Sequence, residues 1–64
     1  MSTFLERLIT EEAELMDKIA KLNAFINGNN FKTIDPMQQT LLKIQVNAMH
    51  TYSQCLIERI ELLK

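Results

Sequence analysis

Arg7 and Arg59 carry the chain's guanidinium groups, planar forks of N–H donors that fit phosphate and carboxylate oxygens two at a time. Lys18 and Lys43 are further cations, and Tyr52 and Phe4 offer aromatic faces on which a nucleobase could stack. Between Lys43 and Glu58 lies an interval without any charge, Ile44 to Ile57, which holds Gln45, Asn47, His50, Thr51, Tyr52, Ser53 and Gln54. Neutral hydrogen-bonding side chains of this kind can read the polar edge of a ligand, or knit copies of a helical bundle together. Both readings stand, the packed oligomer centre being the plainer one. Arg7 and Arg59 likewise suit either an anionic ligand or an ion-paired surface, with Glu6 the expected partner of Arg59.

The reactive groups that could support catalysis are isolated. One histidine, His50, and one cysteine, Cys55, cannot complete a four-ligand zinc site within one chain, and no internal disulfide is possible. Cys55 falls on an apolar stripe and has no histidine one turn away, so it reads as a small buried hydrophobe. Met16, Met37 and Met49 read as core filling. There is no phosphate-cradling glycine loop, no histidine pair at metal spacing and no serine in a nucleophile turn. Catalysis, a metal and a cofactor are therefore not expected. Glu12 stands out for another reason: it occupies an apolar stripe, where a carboxylate needs a partner. Tyr52 is the first choice for that partner, an arginine of a neighbouring chain the second, in a structural role.

The elements that must position these residues are two helices. Thr3 followed by Glu6 is a capping box that starts a helix near Phe4. Leu5, Leu8, Glu12, Leu15, Ile19, Leu22 and Ile26 then recur at alternating steps of three and four, a heptad seam in which Glu12 fills one place. Glu14 with Lys18 and Asp17 with Lys21 are acid-before-base pairs four apart. Asn27 to Asn30 end this helix, with Gly28 expected in the left-handed conformation, and Phe31 and Ile34 expected under the corner. Asp35, Pro36 and Gln38 open a second helix. The expected bounds are 4–27 and 36–63 around a corner at 28–35, an antiparallel hairpin in one 64-residue domain. On the second helix Leu42, Met49, Tyr52, Leu56 and Leu63 are expected to face the first. Leu41, Ile44, Ala48 and Cys55 form a second stripe, and Val46, Ile57 and Ile60 spread further.

One partner helix cannot cover that much apolar surface. A chain this short, with no staple of its own, buries too little to offset its conformational entropy comfortably, so a homo-oligomeric helical bundle is predicted. The net charge of −1 carries no basic stripe for DNA, RNA or an anionic membrane, and no run reaches the length of a membrane span. The chain reads as soluble and cytoplasmic.

Phe4, Glu6 and Arg7, Glu11, Glu14 and Leu15, Lys18 and Ile19, Lys21 and Leu22, Phe25 and Ile26, Phe31, Leu41 and Leu42, Gln45, Ala48 and Met49, Tyr52, Leu56, Arg59 and Ile60, taken together, resemble a known family. It is the widespread family of short phage and prophage proteins named after a crAss-like phage member. The resemblance implies a phage or prophage origin, a helical hairpin and the host cytoplasm as its location. In outline the chain is also similar to small helical anti-defence proteins that assemble into oligomers and sequester cyclic nucleotide signals of host immunity. That likeness implies a counter-defence protein holding a cyclic or modified nucleotide between subunits, through Arg7, Lys18, Gln45, Tyr52 and Arg59. The alternative is a module that docks its helical surface on a host or phage protein.

Overall fold

The computed structural model describes residues 3–64. Its elements are α1 (Phe4–Ile26), a 3₁₀ turn over Asn29–Thr33, and α2 (Pro36–Leu63), with no strand among the described residues. The Thr3 hydroxyl accepts from the Glu6 amide at 3.1 Å, which satisfies one of the orphan donors of the first turn. Asp35 does the same for α2, accepting from the amides of Met37 and Gln38 at 3.0 and 3.3 Å, with Pro36 at the position where a missing amide costs nothing. The end of α1 departs from expectation. Gly28 is extended, with φ −87° and ψ 169°, and no described residue has a positive φ. The chain reverses through the 3₁₀ turn, which needs only ordinary negative φ values, so the glycine's left-handed freedom goes unused.

Two heptad stripes meet in the hairpin. Leu8, Leu15 and Ile19 of α1 are buried against Val46, Leu56 and Ile60 of α2, with Leu5, Leu22, Ile26 and Met49 packed around them. On α2 the seam therefore runs Leu42, Val46, Met49, Ser53, Leu56, Ile60, with Leu63 at its next place but 47% exposed at the helix end, and Tyr52 lies outside it. The seam expected from hydrophobicity steps three residues from Met49 to Tyr52. The helix takes a step of four to Ser53, because the polar place in the α1 seam, Glu12, is met by a polar place on α2. Each helix thus keeps an unbroken seven-residue repeat with one polar layer.

The corner is closed by Phe31, 5% exposed, whose ring meets Phe25 edge-on at 6.1 Å while the Lys43 ammonium lies 5.7 Å from its centroid. Ile34 is half-buried beside it. The result is a rod of 44 × 18 × 15 Å. One helix layer facing one other leaves much apolar surface uncovered: Met16 and Met37, expected as core, are 47% and 63% exposed, and Cys55 is exposed as well.

Candidate functional site

The polar layer of the seam joins Glu12 and Ser53. The Ser53 side chain is nearly sealed from water, and its hydroxyl lies 2.8 and 3.1 Å from the two Glu12 oxygens and 3.5 Å from the Met16 sulfur. Folding at the corner brings Glu12 opposite the stretch Tyr52 to Cys55, yet the partner is Ser53, while Tyr52 is 45% exposed. Sliding α2 by one heptad would set Glu12 against Val46 or Ile60, neither of which has a donor. The pair therefore holds the helices in register, at the cost of keeping a carboxylate in an apolar seam.

A second arrangement lies on one flank of the hairpin. The Arg59 guanidinium sits over the Phe4 ring, 5.7 Å from its centroid, so these two residues share a side of the molecule. A seven-residue step returns nearly to the same azimuth. Walking back from Arg59 along α2 gives Tyr52, Gln45 and Gln38, and walking forward from Phe4 along α1 gives Glu11, Lys18 and Phe25. The two rows face the same way, with about 10 Å between successive positions. Phe4, Phe25 and Tyr52, 56%, 39% and 45% exposed, thus lie on one flank, leaving of the four aromatic rings only Phe31 in the corner.

Four of the five candidate ligand residues, Lys18, Gln45, Tyr52 and Arg59, fall on this flank, and Arg7 lies next to it, one turn beyond Phe4 at the same end of the rod. The ion pair expected between Glu6 and Arg59 is absent from the described residues, the guanidinium being held over Phe4 instead. Asp17 and Lys21 do pair, at 2.9 Å and well exposed, while Glu14 leaves Lys18 free of a salt bridge. Glu11, Phe25 and Gln38 are not among the candidate ligand residues read from the sequence. The signal that finds them is their place in the repeat, one residue before a seam position on α1 and on α2.

Lys18 also borders a shallow depression of 450 Å³ on the outside of α1, lined by Ala13, Glu14, Asp17, Lys18 and Lys21. These residues belong to one helix, so no opposing wall exists there to enclose a ligand. Among the described residues no group of three or more histidine, cysteine, aspartate or glutamate side chains could hold a metal ion. No helix of the described residues is long and apolar enough to cross a membrane.

Residues 2–62 match the model of the Sequestin family. The chain belongs to that family. It is also 34% identical over 64 residues, the whole of both chains, to a protein of Enterobacteria phage T4 described as an "Uncharacterized 7.5 kDa protein in denB-rIIB intergenic region". No solved structure matches. The Sequestin family is thus one of short phage proteins, and its name points to sequestration.

Proposed function

We propose that this Sequestin family member is a phage counter-defence protein that binds and sequesters a cyclic or modified nucleotide signal of host immunity. It does so without catalysis, in the host cytoplasm, between the subunits of a homo-oligomer. The observation that carries this reading is the flank of the hairpin on which three half-exposed aromatic rings alternate with Arg59 and Lys18. Exposed rings are costly unless something covers them, and a nucleobase is flat, apolar on its faces and polar at its edge. Tyr52 stacks on the base, Gln45 reads its edge, and Arg59, Arg7 and Lys18 take the phosphate oxygens. The guanidinium resting on Phe4 is already ordered, so less side-chain freedom is lost on binding.

Native mass spectrometry after incubation with a panel of cyclic and modified nucleotides tests this directly. An oligomer that retains one nucleotide mass, and loses it in Arg59→Ala and Tyr52→Ala at unchanged helical content, supports the proposal. Loss of one charge-assisted contact corresponds to roughly a tenfold to hundredfold weaker affinity. An oligomer that stays empty across the panel overturns it. A second reading has its own support: Ile9, Met16 and Ile57 on the opposite flank are 46%, 47% and 41% exposed, an edge on which a host or phage protein could dock. Under that reading Ile57→Glu abolishes activity and Arg59→Ala does not.

A further inference from the structure

The side of α2 that faces away from α1 carries a stripe of its own: Met37, Leu41, Ile44, Ala48, Thr51, Cys55, Glu58 and Leu62, again at alternating steps of four and three. Met37, Leu41, Ile44 and Leu62 are 63%, 49%, 57% and 85% exposed, so the stripe is uncovered along almost the full helix. Even its one hydroxyl is ready for burial. Thr51 Oγ1 donates to the Asn47 carbonyl of its own helix at 3.2 Å, which leaves the methyl to face a partner and no orphan donor behind.

Three observations say what covers it. The first is area. A compact protein of 7.5 kDa exposes about 4,250 Å², whereas this one exposes 4969 Å². The excess, roughly 700 Å², is close to the ~800 Å² that each partner contributes to a standard interface. The second is charge. The uncharged interval Ile44 to Ile57 is bounded by Lys43 at one end and Glu58 at the other. Of these two only Glu58 lies on the stripe: a parallel copy stacks it on its own mate, whereas an antiparallel copy sets the two carboxylates at opposite ends of the interface. The third is register. The interval is centred between His50 and Thr51, and the heptad register nearest that centre overlaps the two α2 helices over their whole length.

We infer that a second copy of the chain docks antiparallel on this stripe, α2 against α2, to make a two-fold four-helix assembly. Packing in that register sets Ile44 level with Cys55 of the partner subunit, with Ala48 beside the partner's Thr51 at the axis. It also sets Tyr52 beside the partner's Gln45, on the same side of the assembly as Arg59. The two flanks described above then join into one surface, so each site is completed by the other chain. The inference rests on the oligomer of the proposed function and not on its nucleotide.

Ile44→Cys in a chain that keeps its native Cys55 tests both the interface and its direction. Mild oxidation of this variant, helical by circular dichroism, should give a covalent dimer on a non-reducing gel, with Ile44→Cys/Cys55→Ser and the wild type staying uncross-linked. Cys55 lies too far from its symmetry mate in the antiparallel register to bridge, but next to it in a parallel one. Native mass spectrometry of the wild type should show an even number of subunits. A wild-type monomer at micromolar concentration, a wild type that cross-links through Cys55 alone, or an Ile44→Cys variant that does not cross-link would each overturn the inference. A cross-linked dimer that binds no nucleotide would overturn the proposed function and leave this interface standing, and a monomer that binds one would do the reverse.

Discussion

Replacing Ser53 by alanine removes the donor that the Glu12 carboxylate meets inside the seam. A serine has one hydroxyl proton, so the two short contacts at 2.8 and 3.1 Å represent one hydrogen bond to a charged acceptor. Such bonds contribute about 1.5–3 kcal/mol. Glu12 is only half-buried, and water can recover part of what is lost, which puts the cost of Ser53→Ala near 1.5 kcal/mol, the lower end of that range. In a domain of this size that is a fall in Tm of roughly 6–12 °C. Removing both partners has the opposite sign. Glu12→Leu with Ser53→Ala completes an all-apolar seam: the leucine side chain contributes about 1.5–3 kcal/mol on burial, and no carboxylate is left to desolvate. The double variant should therefore exceed the wild type by about 1–3 kcal/mol, and Glu12→Leu alone should lie near the wild type, because it strands the Ser53 hydroxyl with only the Met16 sulfur at 3.5 Å. Urea denaturation followed by circular dichroism, at two protein concentrations to separate folding from association, gives all four corners of the cycle. A Ser53→Ala midpoint equal to that of the wild type, or a double variant weaker than the wild type, would refute the view that this pair is an isolated polar layer in an otherwise apolar seam.

Two further substitutions probe the corner. Gly28→Ala should change stability by less than about 1 kcal/mol in the same denaturation experiment, because the backbone is extended there and an added Cβ meets only the Ala24 and Phe25 carbonyl oxygens at 3.3 and 3.4 Å. A glycine held in the left-handed region would instead lose about 1–2 kcal/mol, so a loss of that size would favour the conformation expected from sequence. Phe31→Ala, which empties the one buried site under the turn, should cost about 3–5 kcal/mol and abolish the cooperative melt at low protein concentration.

The elements of this fold are local, and local signals carry them. Thr3, Asp35 and Pro36 satisfy or remove orphan amides within three residues of themselves, and the alternating apolar steps of α1 need no knowledge of α2 to be read. The excess of apolar positions on α2 was legible for the same reason. The choice among the several apolar stripes of α2 was not. Leu42, Met49 and Leu56 belong to a seam that could continue through Tyr52 or through Ser53, and hydrophobicity alone favours the tyrosine. Packing chose the serine, because a half-buried Glu12 needs a donor at its own level of the rod, and that level exists only once the corner has set the two helices side by side. Gly28 teaches the same lesson at the turn: its residue type permits a left-handed cap, but the burial of Phe31 draws the chain into a 3₁₀ turn instead. Sequence determined the helices, their starts and the surplus of apolar surface, since each follows from neighbours a few residues apart. Tertiary structure alone decided which α2 stripe faces α1, and so which stripe is left for another copy and which flank carries the exposed rings, because those depend on matching polar and apolar layers 41 residues apart in the chain.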